Sequence, residues 1–338
     1  MRHPGGRISN LALLLALVLA FATGAGAVAA GTPRGRWVVI AHGVAAMLVI
    51  LLIPWKTRIV RAGVRRHKIG RWASLTLAAL AVVTLLFGLG YTTGLVREVG
   101  GIRGMWLHVA AALTLVPLLL WHLVARRVLP RRTDLSRRTL MRTGTVAAAA
   151  AALYAVTTAV VELTPTPGRR RRFTGSYEVG SFQPRTMPNT IWLNDTSPPV
   201  NPATWRLTVA DADGTRTWSL PDLSRQTVTR RELLDCTSGW YSEQDWTGVP
   251  VSTLIRRVGA ARSLLVHSVT GYWIRLPVAD LDTLLLATEV GGTPLSRGHG
   301  YPLRLVAPGR RGFWWVKWVD RIELQDTPWW WQPPFPMR

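Results

Sequence analysis

Apolar and polar residues are arranged in two different ways along this chain. The first half holds five long apolar runs, at residues 8–30, 37–55, 72–91, 105–129 and 144–163, separated by arginine-bearing loops. Each run is about 18–25 residues long, the length a helix needs to cross a hydrocarbon core of about 30 Å. The pattern predicts an all-α bundle of five transmembrane helices over residues 1–165. From residue 173 onwards, short β-rich runs at 205–209, 264–269, 272–276 and 303–306 alternate with Gly and Pro turns. Helices are expected near 230–234 and 251–258. This mixed pattern predicts one α+β domain over residues 166–338.

The net charge of +23 does not point to a nucleic-acid partner, because of where it lies. Residues 1–172 hold 24 Lys and Arg against three Asp and Glu, whereas residues 173–338 hold 17 against 15. Nucleic-acid binding needs a basic face on the soluble domain, and that domain is near neutral. Basic loops beside membrane helices set orientation instead. The loop after the second run carries Lys56, Arg58, Arg61, Arg65, Arg66, Lys68 and Arg71, and the loop after the fourth carries Arg126, Arg127, Arg131, Arg132, Arg137, Arg138 and Arg142. The other two loops carry only Arg34 and Arg36, or Arg97 and Arg103 offset by Glu98. The two heavy loops therefore face the cytoplasm. Five crossings then leave the N-terminus inside and the C-terminal domain outside a cell membrane.

Three features bear on this topology. The arginine run at 169–172 opposes the bias. The first apolar run, with its basic start and Ala-rich end, also reads as a cleavable signal peptide, which would not change the side of the later segments. The segment Ser136-Arg137-Arg138-Thr139-Leu140-Met141-Arg142, before an apolar helix, resembles a twin-arginine export signal. Its other reading is one more cytoplasmic loop. Twin-arginine export would move the fifth helix together with a folded, cofactor-loaded domain.

Four of the seven histidines lie in or beside the apolar runs. His42 and His108 sit near the starts of the second and fourth runs, which places both imidazoles at similar depth near the outer face. His122 follows on the same helix as His108, about 40° short of four full turns and roughly 21 Å away. His67 lies at the cytoplasmic edge, where it is a candidate partner for His122. Histidines paired at two depths are what two stacked b-type haems require, since each iron takes two axial imidazoles. The alternatives are hydrogen bonds between helices or, for His67, a solvated loop position. The arrangement resembles the membrane cytochrome b subunits that pass electrons between quinones and outer-face enzymes.

Cys236 is the only cysteine, so it forms no disulfide within the chain. Packing, redox chemistry and metal ligation are the roles open to it. The small, turn-forming Thr237-Ser238-Gly239 that follows leads us to expect Cys236 on an exposed ligand loop rather than in a core strand.

The segments Leu234-Asp235-Cys236-Thr237-Ser238-Gly239-Trp240, Trp246-Thr247-Gly248-Val249-Pro250-Val251 and His299-Gly300-Tyr301-Pro302-Leu303-Arg304-Leu305-Val306-Ala307-Pro308-Gly309, with Val316-Lys317-Trp318-Val319, carry a specific likeness. In order and spacing they resemble the sulfite oxidase family of molybdopterin enzymes, over most of the domain. The resemblance implies that Cys236 supplies the thiolate that ligates molybdenum, a soft and necessarily deprotonated ligand. It implies that His299, Arg304, Trp315, Val316 and Lys317 hold the pterin and its phosphate. An anionic phosphate independently favours Arg forks, a Lys charge and backbone N–H donors. Thr174-Gly175-Ser176-Tyr177-Glu178 is similar to the Asn-x-x-Tyr-Glu run of the periplasmic methionine-sulfoxide reductase of this family, which makes Thr174, Tyr177 and Glu178 candidate pterin contacts. Thr174 departs from the family Asn. Ser268 stands where that enzyme places a pterin-contacting Thr.

Sulfite oxidases and plant nitrate reductases have basic residues just after the metal cysteine. Here Thr237-Ser238-Gly239-Trp240-Tyr241 occupies that place, so sulfite or nitrate specificity is not expected. Trp314, Trp315 and Trp318 are expected in the core, and the tail bearing Trp329, Trp330 and Trp331 either on the domain surface or at the headgroup layer. The reading as a whole is a membrane-bound molybdenum oxidoreductase that transfers an oxygen atom to or from a small substrate, with electrons relayed through b haem to or from quinones. Sulfoxide reduction is the favoured direction. The rival readings are the same enzyme on a haem-free anchor, and a metal-free, membrane-anchored binding module.

Overall fold

The computed structural model describes residues 4–64, 71–131, 134, 136–191 and 195–333. The chain divides into two compact units, Met1–Gly175 and Ser176–Arg338.

The first unit is helical. Its helices are α1 Pro4–Ala29, α2 Arg36–Val64, α3 Arg71–Thr93, α4 Gly104–Ala125 and α5 Arg137–Leu163. All five are long and apolar enough to cross a membrane. They enclose the five apolar runs, apart from a few residues at the C-terminal ends of the first and fourth. Helix α1 packs along α2, α3 along α4, and α5 against α2. Ala16, Val49 and Leu52 form a buried seam between α1 and α2. Gly43 lets the Tyr154 ring of α5 close on α2, since a Cβ there would lie 2.2 Å from it. The α3–α4 link is a small hairpin, β1 Glu98–Val99 and β2 Ile102–Arg103. Its turn is Gly100-Gly101, with φ of 58° and 80°, the two positive angles that a type I′ turn demands. Helix α5 starts at the cap of Ser136, whose Oγ accepts the Thr139 N–H at 3.3 Å. Most of the α2–α3 loop, including His67, lies outside the described residues.

The second unit is built from two sheets. Its strands are β3 Tyr177–Glu178, β4 Leu207–Asp211, β5 Gly214–Trp218, β6 Val228–Cys236, β7 Trp240–Pro250, β8 Ser263–Ser268, β9 Trp273–Pro277, β10 Leu285–Val290, β11 Thr293–Pro294, β12 Arg304–Val306 and β13 Val319–Gln325. One sheet runs β11-β10-β7-β3, with β6 on β7 and β12 on β10; the other runs β5-β4-β13-β8-β9. Among the described residues of this unit, α6 Leu220–Leu223 and α7 Val251–Leu254 are single turns.

Two expected helices therefore do not form as predicted. Residues 230–234 are strand β6, paired with β7 in an unbroken register from Val228↔Gly248 to Cys236↔Trp240. Cross-strand pairing overrides the helix-tolerant composition of Arg-Arg-Glu-Leu-Leu. The helix expected at 251–258 stops after one turn, where Ile255 turns extended. The four strands expected from the sequence are present as β4, β8, β9 and β12, shifted by up to two residues.

Candidate functional site

Strands β6 and β7 form a hairpin whose three-residue loop is Thr237-Ser238-Gly239. Gly239 has φ of 88°, a left-handed value that closes such a loop, and its N–H donates to the Cys236 carbonyl at 3.2 Å. Cys236 is thus the last residue of a strand and is 8% exposed. The exposed loop expected for it is corrected: the turn residues follow it, and the ladder holds it in. Its thiol faces Ser238, with Sγ and Oγ 3.2 Å apart.

Behind the thiol lies a polar cluster that local sequence patterns did not reveal. Arg311 Nη1 donates to Asp235 Oδ1 at 2.7 Å and Nη2 to the Cys236 carbonyl at 3.1 Å. Ser176 Oγ donates to the same Asp235 oxygen at 2.6 Å. Gly312 seats this turn against the strand end: a Cβ there would lie 3.1 Å from Cys236 Cα.

In front of the thiol, three predicted residues converge. Arg304, on β12, is buried, donates Nη1 to the His299 carbonyl at 3.1 Å and stacks its guanidinium over Trp246 and Trp315, 5.4 and 5.8 Å from their centroids. Gly300 lies between Arg304 and Lys317, with its would-be Cβ 3.3 and 3.1 Å from their Cβ atoms. Lys317 Nζ donates to Asn189 Oδ1 at 2.6 Å, the Thr190 carbonyl at 2.9 Å and the Gly298 carbonyl at 2.6 Å. None of these acceptors is a carboxylate.

The electrostatics follow from burial of cations beside one another. Burial, then the Arg304 charge, pushes Lys317 down to about 7. Burial lowers Arg304 to about 10, with Cys236 opposing the shift. Burial, then Arg304 and Lys317, lowers His299 to about 4, so it is neutral near pH 7. Its Nδ1 lies 2.8 Å from Ser296 Oγ. Among the described residues, Arg304 Nε and His299 Nε2 are buried and make no hydrogen bond. Two crowded cations and two orphaned ring or guanidinium nitrogens fit an anion, and the adjacent thiol fits a soft metal. A metal–pterin group carrying a phosphate supplies both.

The comparisons agree. Residues 194–331 match the family model of the oxidoreductase molybdopterin binding domain. Over that stretch the chain is similar to molybdopterin-binding oxidoreductases. Mitochondrial sulfite oxidase of Rattus norvegicus is 30% identical over 179 residues, 41% of this chain and 33% of that protein. "Nitrate reductase [NADPH]" of Phytophthora infestans is 34% identical over 99 residues, 25% of this chain and 11% of that protein. The uncharacterized oxidoreductase YuiH of Bacillus subtilis (strain 168) is 30% identical over 107 residues, 29% of this chain and 54% of that protein. The matched stretch thus spans at most about half of these relatives.

The remaining predicted contacts of the molybdopterin domain are placed as follows. Trp315 is buried, edge-on to Trp246 at 5.5 Å, and Val316 offers its carbonyl to Leu305 N–H at 2.8 Å. Tyr177 is buried and pairs with Trp240 on β7. Glu178 is exposed and accepts the Ser181 N–H at 2.8 Å. Ser268 Oγ lies 3.0 Å from Thr270 Oγ1, which donates to Asp195 at 3.2 Å. Thr174 is buried at the end of the helical unit. Trp314 and Trp318 are buried as expected, and Trp329 packs 6.2 Å from Trp314 while Trp330 and Trp331 stay exposed.

In the helical unit, His42 and His108 are brought together, with ring centroids 6.0 Å apart and planes at 80°. His42 Nδ1 lies 2.9 Å from the Ala20 carbonyl, and His108 Nδ1 lies 2.9 Å from the Thr84 carbonyl. A carbonyl only accepts, so each Nδ1 carries the proton and each Nε2 keeps its lone pair. One helical turn beyond each carbonyl stands a glycine, Gly24 or Gly88. A Cβ at either would lie 3.1 Å from the Cε1 of its histidine. Each helical hairpin, α1–α2 and α3–α4, thus supplies the same three parts. His122 Nδ1 instead lies 3.4 Å from Ser74 Oγ. Its proposed partner His67 is among the undescribed residues.

Proposed function

We propose that this protein is a membrane-bound, molybdopterin-dependent oxidoreductase that exchanges an oxygen atom with a small neutral substrate, in the direction of sulfoxide reduction. The observation that carries the reading is the buried Cys236 thiol close to a cradle of Arg304, Lys317 and His299, in which the Lys317 ammonium is hydrogen-bonded by neutral acceptors, the Asn189 side chain and the Thr190 and Gly298 carbonyls. When bound, the metal–pterin group supplies two-electron oxygen-atom transfer. The protein's own residues bind and orient. Cys236 ligates the metal; Arg304 and Lys317 hold the phosphate; neutral His299 offers Nε2 to the pterin; Trp246 and Trp315 wall the cradle against water. The polar, uncharged loop 237–239 leaves the substrate side without a fixed positive charge, which favours a neutral substrate over sulfite or nitrate.

The five apolar helices support insertion in the cell membrane, and the basic α2–α3 and α4–α5 loops support a cytoplasmic face for those loops and an extracytoplasmic molybdopterin domain. We assign His42 and His108 as the residues that would hold a b-type haem, a group that would supply single-electron transfer between a quinone pool and the domain. The support for this pair is the 6.0 Å approach of the two imidazoles, each held through Nδ1 by a backbone carbonyl so that its Nε2 lone pair stays open to a metal. Metal and pterin analysis of the purified full-length protein, with a reduced-minus-oxidised spectrum, tests both halves. Protein without molybdenum ends the catalytic reading. Protein with molybdenum but no sharp b-haem bands leaves the helices as an anchor.

A further inference from the structure

Cys236 stands at the end of a line of hydrogen bonds that begins at an indole. Trp240 Nε1 donates to Thr190 Oγ1 at 3.0 Å, Thr190 Oγ1 lies 3.1 Å from Ser238 Oγ, and Ser238 Oγ lies 3.2 Å from Cys236 Sγ. Each hydroxyl taken alone can point either way. The two ends remove that freedom. An indole N–H only donates, and a thiolate ligated to a metal carries no proton and only accepts. Ser238 must therefore donate to the sulfur. Its lone pairs then accept from Thr190, whose own lone pair accepts from Trp240.

We propose that Trp240, Thr190 and Ser238 form a one-way donor relay that terminates on the Cys236 thiolate and tunes the metal it ligates. The inference rests on the reading of Cys236 as the molybdenum ligand, and the three residues are positioning residues. Ser238 and Trp240 are both 2% exposed, so water competes little at either end. In such a setting successive hydrogen bonds polarise one another, by roughly 10–30% per bond. Hydrogen bonds to a ligand sulfur draw charge from the metal and raise its reduction potential.

The fold builds the relay from separate segments. The left-handed Gly239 turns the loop so that residue 238 folds back over residue 236 while residue 240 pairs with it. Thr190 comes from the segment preceding β4, where Lys317 clamps its carbonyl at 2.9 Å. One residue thus joins the phosphate cradle to the thiolate.

The test uses full-length, metal-loaded protein and the variants Ser238→Ala, Thr190→Val and Trp240→Phe, the last two of which leave the Ser238–Cys236 contact in place. The readouts are molybdenum content and the molybdenum midpoint potential from a spectroscopically monitored redox titration. The relay predicts retained metal and a shift to more negative potential, largest for Ser238→Ala and smallest for Trp240→Phe. A merely structural role predicts lower thermal stability with an unmoved potential, and loaded variants at the wild-type potential overturn the relay. Wild-type protein lacking molybdenum would overturn the proposed function instead, so the two failures are told apart.

Discussion

Arg311 and Asp235 form an ion pair at 2.7 Å in which both side chains are almost fully buried, 3% and 4% exposed, directly beside the cysteine that faces the cofactor cradle. Taking two charges out of water is costly, and only good geometry with further hydrogen bonds offsets it. Both are present: Ser176 donates to the carboxylate and Arg311 also donates to the Cys236 carbonyl. The pair therefore fixes the strand end from which the thiol projects.

Removing one partner leaves a buried charge alone, at a cost of about 3–5 kcal/mol. Arg311→Met should lower the thermal stability of the detergent-solubilised protein, followed by tryptophan fluorescence, by that order. Asp235→Asn combined with Arg311→Met should recover part of the loss, because the orphaned charge is gone. Equal losses in the single and double variants would contradict the account.

Lys317 gives a pH dependence. With its pKa near 7, it is cationic below that pH and neutral above it. Uptake of molybdopterin by cofactor-free protein should therefore weaken as pH rises through about 7. Lys317→Arg keeps the charge and should flatten that profile. The stability effect has the opposite sign. Folding lowers this pKa from 10.5, so the unfolded chain binds the extra proton between about 7 and 10.5. Cofactor-free wild type should gain stability relative to Lys317→Met as pH climbs through that window. Isothermal titration at pH 6 and 8, and melting curves across the alkaline range, check the two slopes.

The parts of this molecule that were legible in the sequence are those set by local pattern. The five helices follow from run length, and Cys236, Arg304 and Lys317 from segments whose spacing survives as a signature. What stayed hidden depends on pairing across distance. Strand β7 reads poorly because its inward row contains Ser242 and Gln244, both fully buried beside Trp240 and Trp246. The alternation is real but not hydrophobic, so nothing local marks β6 as its partner, and Arg-Arg-Glu-Leu-Leu reads as a helix. Asp235 and Arg311 lie 76 positions apart, and no periodicity connects them. Thr190 and Ser238 are ordinary turn residues until the fold sets them 3.1 Å apart. Adjacency of Asp235 to the lone cysteine, with an arginine beside Gly312, was the available clue.

The paired histidines make a spectroscopic prediction. His42→Ala or His108→Ala should remove the b-haem bands of the purified protein that belong to this pair, whereas His122→Ala should leave those bands intact. Gly24→Val and Gly88→Val place new atoms against the imidazoles and should lower haem content with the ligands still present. Wild-type bands in both histidine variants would remove the assignment.

The start of α5 separates two readings of the arginine pair. Ser136 caps the helix, so Arg137 and Arg138 stand in its first turn, where positive charge opposes the helix dipole. Local helix energetics thus do not account for their placement. A cytoplasmic retention loop needs only their charge, and lysine serves that equally well. A twin-arginine signal is read by a receptor that distinguishes the two side chains. Changing Arg137 and Arg138 together to lysine keeps charge, cap and helix. The molybdopterin domain should then become inaccessible to protease added outside intact spheroplasts, while the α2–α3 loop keeps its sidedness. Unchanged cleavage of the domain in that variant would leave charge alone as the determinant of its export.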